Sequence, residues 1–174
     1  TNYILFFGFI RGYKGLKLLL NAFSKTDYRK LNLKLIIAGE YYTDEKPYID
    51  LIEQLQLIDH VVQFNQFIAD ENVKYYFSAS DLLVQPYLHA TQSGVSQIAF
   101  QMNKPMIVTN VGGLPEMVNN GESGFIVEPD AQQLADSIMA FYQGNLEQKF
   151  IENTKNEKQK YSWNSFVKAI EKLM

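Results

Sequence analysis

The stretch FFGFIRGYKG, residues 6–15, decides how this chain folds. The apolar run 3–7 closes at Gly8, as expected of a buried strand in a parallel sheet. After the glycine-rich turn, apolar residues recur at helical spacing and predict a helix over about 15–25. The chain therefore begins with a strand, a turn and a helix.

The same alternation continues as far as about residue 130. Each further strand is a short apolar run, and helical spacing or an N-cap residue separates it from the next. The predicted strands are 33–38, 61–64, 82–85, 105–109 and 124–127, and the predicted helices are 48–55, 70–78 with Asp70 as its N-cap, 94–102, and one that begins at Asp130. This alternation predicts an α/β domain: a parallel sheet of about six strands with helices on both faces. Functional sites in such sheets lie at the carboxyl ends of the strands.

The last third of the chain, 131–174, contains no convincing strand pattern and predicts a helical C-terminal segment. Gly144 and Asn145 separate its first helix from a charged stretch, 147–160, which we expect to be a solvent-facing helix. The motif Tyr161-Ser162-Trp163 is expected to open the final helix.

Composition narrows the classes of function. At 174 residues with 47% apolar residues, the chain is long enough for one domain with a substantial core. The net charge of −3 argues against a nucleic-acid-binding protein. With no Cys and two His, His60 and His89, a disulfide framework and a structural zinc site are not expected, and the apolar runs are too short to span a membrane. Because a strand begins just after Thr1, with no initiating Met, we expect a missing segment upstream.

Two cations stand on the first turn. Arg11 and Lys14 are three residues apart, and Gly8, Gly12 and Gly15 let the backbone turn tightly and approach a ligand. Arg can grip two phosphate oxygens while Lys supplies a compact charge, so the pair suits a diphosphate. The alternative is that both are ordinary surface cations. The spacing fits neither the P-loop nor the dinucleotide-binding fingerprint.

A second candidate anion site follows the fourth predicted strand, in ATQSGV, residues 90–95. Gln92, Ser93, Gly94 and Val95 lead into a predicted helix, so backbone N–H groups could face an anion. Ser93 could also be the N-cap of that helix, and the two roles are compatible because a cap satisfies one donor and leaves others free. Together the two turns predict a diphosphate clamp.

Three further candidates carry weaker signals. Gly112 and Gly113 follow the fifth strand, where paired glycines often serve only the turn. Glu116 could be a first-turn anion or a ligand for a sugar hydroxyl. His89 lies beside the second turn, but single histidines are more often structural than catalytic.

Several motifs in register resemble a known family. They are GFIRGYKG (8–15), SDLLVQP (80–86), KPMIVTNVGGLPE (104–116), NNGESGFIV (119–127) and YSW (161–163). In order and spacing they are similar to the C-terminal domain of retaining glycosyltransferases of the GT-B fold, group one, family four. The resemblance implies that residues 1–174 are one Rossmann-like half of a GT-B enzyme, the nucleotide-sugar donor-binding domain. The N-terminal acceptor domain would be absent from this chain.

The resemblance also implies roles for particular residues. Arg11 and Lys14 would hold the pyrophosphate and stabilise the leaving group, with no cofactor and no essential metal ion. Residues 92–95 would add backbone contacts to the same phosphates. Phe67-Ile68, which follows the third strand, would border the base.

This chain departs from the family at one place. Such enzymes commonly carry two glutamates eight positions apart, one near the donor sugar and one on the ribose. Counting back from the motif of the fifth strand places Ala90 and Ile98 there, and neither side chain can accept a hydrogen bond. Gln92, Ser93 or His89 would have to replace the first glutamate.

On this resemblance we expect a hexosyltransferase that is active as the full-length protein. It would move a hexose from a nucleoside diphosphate sugar to a glycan or lipid-linked acceptor with retention, for example in cell-surface polysaccharide synthesis. We expect the isolated domain to be inactive, and the enzyme to be cytoplasmic or peripheral at the inner face of the membrane, which it would touch only through the missing half. Two alternatives stand beside it: a nucleotide-sugar epimerase of the same fold, and a degenerate or phosphate-binding α/β module without catalysis.

Overall fold

The computed structural model describes residues 1–160, in which six parallel strands form one sheet with helices on both faces. The strands are β1 (Asn2–Phe7), β2 (Leu33–Ala38), β3 (Val61–Phe64), β4 (Leu82–Gln85), β5 (Met106–Thr109) and β6 (Gly124–Val127). The helices are α1 (Leu16–Ser24), α2 (Lys46–Gln54), α3 (Asp70–Ala79), α4 (Gly94–Gln101), α5 (Ala131–Gln143) and α6 (Glu147–Lys160). Three short 3-10 turns span Gly12–Lys14, Ile58–His60 and Leu114–Met117.

The predicted α/β fold is confirmed, with every predicted strand present. The predicted N-cap of α3 is wrong by one residue. Ala69 has the extended backbone of a cap, whereas Asp70 is already the first helical residue and its side chain caps nothing. Asp130 does cap α5, because its side chain accepts hydrogen bonds from the N–H groups of Gln132 and Gln133. The predicted helix start at 161–163 lies outside the described residues.

The order of strands across the sheet is β3-β2-β1-β4-β5-β6. β2 and β3 add successively on one side of β1. β4 then pairs with the other side of β1, and β5 and β6 follow on that side. The connections after β1 and β4 therefore leave in opposite directions, which opens a crevice at the carboxyl ends of these two strands. Ligands of open α/β sheets bind at this position.

Successive side chains of each strand pack alternately into two hydrophobic cores, one on each face of the sheet. Ile4 and Phe6 join the larger core with residues of α1, α2 and α5, whereas Leu5 and Phe7 join the smaller core with Phe77 of α3 and with α4. Both faces are covered, which accounts for strands that are apolar at nearly every position.

The charged stretch 147–160 is the helix α6, as predicted. Half of the residues 147–158 are exposed, but Phe150 and Thr154 are buried, and Phe150 belongs to the larger core. Within residues 1–160, no helix combines the length and apolar character needed to cross a membrane. The same residues contain no cluster of three or more His, Cys, Asp or Glu side chains placed to hold a metal ion.

A close backbone contact ties the loop after β1 to the loop after β4. Gly15 has a φ of +71°, and a Cβ atom added there would lie 1.8 Å from the carbonyl oxygen of Pro86. The N–H of Leu88 donates to the carbonyl of Tyr13 at 2.7 Å, and the ring of Tyr13 meets that of Tyr87 edge to face, with centroids 6.1 Å apart. The two turns singled out in the sequence are therefore neighbours fixed to each other.

We predict that Gly15→Ala lowers the free energy of unfolding by about 3 kcal/mol or more. The alanine would have to adopt a left-handed backbone conformation, and its Cβ would clash with the carbonyl oxygen of Pro86. Gly12→Ala on the same turn is the matched control, because a Cβ at Gly12 meets nothing within 4 Å, and it should change stability by less than about 0.5 kcal/mol. Urea denaturation measures both variants. Equal stability of the two would show that the contact between Gly15 and Pro86 is not a packing constraint.

Candidate functional site

Lys14 lies buried at the floor of the crevice, with only 9% of its surface exposed. The missing side chain of Gly8 makes room for it, because a Cβ there would lie 2.9 Å from Lys14 Nζ. The ring centroid of Tyr87 is 5.6 Å from the same nitrogen. Among the described residues, no carboxylate forms a salt bridge with Lys14.

Burial, and secondly the charge of Arg11, lower the pKa of Lys14 to about 8. Lys14 is therefore still mostly protonated at pH 7. Burial of its positive charge is unfavourable, and a bound anion would offset this cost. The alternative that Lys14 is an ordinary surface cation does not fit this burial. For Arg11 the surface-cation alternative holds in part, because its side chain is exposed. Its guanidinium carbon lies 4.2 Å from the ring centroid of Tyr42.

The N-terminus of α4 lies across the crevice from β1. A Cβ at Gly8 would be 3.5 Å from Val95 Cγ2, so the first turn of α4 and Lys14 converge on the same glycine. A Cβ at Gly94 would meet nothing within 4 Å, so the space beside Gly94 at this helix end is open. An anion held there would face both the free N–H groups of the helix and the Lys14 ammonium.

Ser93 is the N-cap of α4, as one of the two sequence interpretations predicts. Its Oγ accepts from the Ser96 N–H at 3.4 Å. The side chain of Gln85 fixes this cap, since its Nε2 donates to Ser93 Oγ at 2.8 Å and its Oε1 accepts from Ser96 Oγ at 2.6 Å. Sequence analysis missed Gln85, although a polar residue that ends a fully buried strand is a usable signal.

The paired glycines after β5 serve the structure, as expected. Gly112 has a φ of +52°, and a Cβ there would lie 1.8 Å from the carbonyl oxygen of Ala90. The Gly113 N–H donates to the carbonyl of Thr91 at 2.7 Å. These contacts hold the loop that precedes α4 in place.

The remaining candidates lie at the margin of the crevice. Gln92 is exposed, and its Cγ would be 3.4 Å from a Cβ at Gly113. Glu116 Cδ would be 3.7 Å from the same position, so these two side chains flank one glycine. His89 is exposed on the loop after β4. Among the described residues, none of the three side chains forms a hydrogen bond or a salt bridge with Lys14.

A pocket of about 150 Å³ adjoins Gly8 on the side of α3 and α4. The predicted base-bordering residues line it: Phe67 is 65% exposed, and Ile68 lies beside it. Phe9 also lines it, with its ring centroid 6.5 Å from that of Phe67. Ile98 lies in the same pocket, so the position that departs from the expected glutamate does face this space.

Residues 1–157 match the family described as glycosyl transferases group 1. The chain is 30% identical over 171 residues to an uncharacterized glycosyltransferase, MJ1607, of Methanocaldococcus jannaschii, covering 95% of this chain and 42% of that protein. It is 33% identical over 132 residues to the capsular polysaccharide biosynthesis glycosyltransferase CapM of Staphylococcus aureus, covering 72% of this chain and 32% of that protein.

Among solved structures, Anabaena HepE in complex with UDP has the same fold, with a TM-score of 0.78 and 20% identity, over 99% of this chain and 48% of that one. The chain thus spans less than half the length of each of these three proteins.

We predict that Lys14→Met stabilises the protein at pH 7 by on the order of 1 kcal/mol, because it removes a buried cation that has no acidic partner among the described residues. Lys14 is protonated in both states at pH 7, so the cost of burying the charge falls on the folded state. Between pH 8 and 10.5 Lys14 is largely deprotonated in the folded protein but still protonated in the unfolded chain, so the free energy of unfolding of the wild type rises with pH. The stability difference between Lys14→Met and the wild type therefore narrows over this range.

Urea denaturation across this pH range measures the effect. Lys17→Met is the matched control, since Lys17 is an exposed cation of α1, and we expect it to change stability by less than about 0.5 kcal/mol. A Lys14→Met variant that is less stable than the wild type at pH 7 would contradict the account of Lys14 as an uncompensated charge.

Proposed function

Because the chain belongs to the glycosyl transferases group 1 family, we propose that residues 1–174 are the donor-binding half of a GT-B hexosyltransferase. In this role the crevice between β1 and β4 holds the diphosphate of a nucleoside diphosphate sugar. The observation that carries the proposal is Lys14: a buried ammonium that converges with the open N-terminus of α4 on Gly8. The binding of UDP by HepE, stated for that protein, supports the same class of ligand.

The geometry suggests how the diphosphate is held. Lys14 supplies a fixed positive charge in a partly desolvated position, where a charge interacts more strongly than in water. The N–H groups at the start of α4 approach from the other side, and Gly94 leaves that approach open. Arg11 lies over Tyr42 at the exposed mouth and can swing onto the outer phosphate.

Such a site favours departure of the diphosphate. As the bond between the sugar and the diphosphate breaks, negative charge grows on the leaving oxygen, and a prearranged cation stabilises it more than it stabilises the intact donor. The positive charges of Lys14 and Arg11 would fill this role with no metal ion. The incoming hydroxyl group comes from an acceptor bound in the other half of the enzyme, so we expect residues 1–174 alone to bind donor without transferring sugar.

The acceptor in this proposal is a glycan or a lipid-linked molecule. The name of CapM associates that relative with capsular polysaccharide synthesis, which favours a glycan or lipid-linked acceptor for this protein as well. Recognition of the sugar would fall to Gln92, since Ser93 Oγ already serves Gln85 and the helix cap. Glu116, which flanks the same glycine as Gln92, could support it.

We predict that the 174-residue chain binds UDP, GDP or ADP. Lys14→Met should weaken the affinity for the preferred nucleotide by roughly tenfold to a hundredfold, because it removes a charge-assisted hydrogen bond. Arg11→Ala should weaken it less, roughly threefold to tenfold, because the guanidinium is exposed and screened. Isothermal titration calorimetry at constant ionic strength measures all three nucleotides.

Lys17→Met again serves as the control, because it removes the same formal charge from α1 and should leave affinity within about twofold. If no nucleoside diphosphate binds, or if Lys17→Met weakens binding as much as Lys14→Met, the crevice is not a donor site. A stabilised Lys14→Met variant that no longer binds would separate loss of ligand from loss of fold.

A further inference from the structure

The pocket beside Gly8 contains a carboxylate that sequence analysis did not single out. Glu40 follows β2 and lines the pocket of about 150 Å³ together with Phe9, Phe67 and Ile98. Pockets for whole small molecules usually measure roughly 300–1,000 Å³, so this space suits one part of a nucleotide and adjoins the phosphate position at Gly8.

The lining of the pocket places Glu40 on the face of the sheet that α3 and α4 cover. Ile36 and Ala38 of β2 belong to the smaller core on this face, and Glu40 lines the pocket together with Asp70 of α3 and Ile98 of α4. Tyr41, the next residue, packs instead against the larger core. Glu40 and Ile98 of α4 therefore border the same space.

Backbone contacts hold Glu40 against the first turn. A Cβ at Gly39 would lie 2.1 Å from the carbonyl oxygen of Gly8, so these two glycines are in close contact. The carbonyl of Glu40 accepts from the Ile10 N–H at 2.8 Å. A nucleoside attached to a diphosphate at Gly8 would therefore pass directly by Glu40.

Charge limits what this carboxylate can bind. A carboxylate repels a diphosphate, but it is a strong acceptor for neutral hydroxyl groups. In the described part of the chain, Glu40 forms no salt bridge, so its oxygens are available. Ile98 offers no acceptor in the same pocket, and the exposed rings of Phe9 and Phe67 suit a flat base.

We propose that Glu40 accepts hydrogen bonds from the ribose hydroxyls of the donor nucleotide, and so performs at the end of β2 the task that Ile98 cannot perform on α4. This inference rests on the proposed donor-binding function. It also makes ribose recognition depend on the loop after β2 rather than on α4.

A second carboxylate in the pocket, Asp70, is less suited to this task. It is an acidic residue in the first turn of α3, where its negative charge is favoured by the helix dipole. Glu40 is the residue next to the contact between Gly39 and Gly8, and so lies nearer the path from the phosphates. The two carboxylates can be separated experimentally.

The test compares the ribose and 2′,3′-dideoxyribose forms of UDP, GDP and ADP, with inorganic pyrophosphate as a probe that has no sugar. We expect the 174-residue chain to bind the preferred ribonucleotide roughly tenfold to a hundredfold more tightly than its dideoxy form. Glu40→Gln should lose most of this preference and should bind the dideoxy form about as tightly as the wild type does. Its affinity for pyrophosphate should not fall. Glu71→Gln, an exposed change of equal charge outside the pocket lining, should keep the full preference.

The other possible results separate failure of the donor site from failure of the role proposed for Glu40. Absence of binding by pyrophosphate and all three ribonucleotides would overturn the proposed function itself. Binding with equal affinity for ribose and dideoxyribose forms, or a Glu40→Gln variant that keeps the preference, would overturn the role of Glu40 and leave the phosphate site intact. A preference that disappears in Asp70→Asn but persists in Glu40→Gln would also overturn it. Thermal melting of each variant confirms that the fold is retained.

Discussion

The contact between the backbone of Gly15 and the carbonyl of Pro86 is the constraint on which the rest of the site depends. Reversal of strand order between β1 and β4 opens a crevice, but the reversal alone does not fix its two walls. The left-handed Gly15 and the hydrogen bond from Leu88 to Tyr13 lock the walls together. This fixed spacing lets Lys14 and the N-terminus of α4 converge on Gly8.

The protein gives up stability to maintain this arrangement. A buried ammonium without an acidic partner in the described residues opposes folding, and its lowered pKa is the sign of that opposition. Most buried charges are paired, so an unpaired one in a crevice indicates a ligand of the opposite charge. Lys104, at the other end of the sheet, is as buried as Lys14, and burial lowers its pKa as well, although the charges of Glu147 and Asp81 oppose this shift. There Lys104 donates to the carbonyl of Ser80, and Asp81 accepts from the Tyr3 N–H at 2.7 Å.

The fold and one half of the site could be predicted from the sequence because both are local. Short apolar runs predict the strands, three of which end at glycine or proline, and Arg11 and Lys14 stand out as cations on a glycine-rich turn. The sequence could not show that Lys14 is buried while Arg11 is exposed, because burial depends on how Gly8 packs against α4. Gln85 and Glu40 were missed for the same reason. Each takes its position from strand register and from partners that lie far away in the chain, as Gln85 does through Ser96.

Backbone groups cannot be removed by substitution, so nuclear magnetic resonance tests the central claim most directly. Titration of the ¹⁵N-labelled chain with inorganic pyrophosphate should shift the amide signals of Gly94 and Val95 most strongly, and in Lys14→Met the same shifts should require roughly tenfold to a hundredfold more pyrophosphate. The N-terminus of α5 is an internal reference, because the carboxylate of Asp130 already occupies its N–H groups. Shifts at α5 equal to those at α4, or unchanged Gly94 and Val95 signals at saturating pyrophosphate, would contradict a diphosphate clamp between Lys14 and α4.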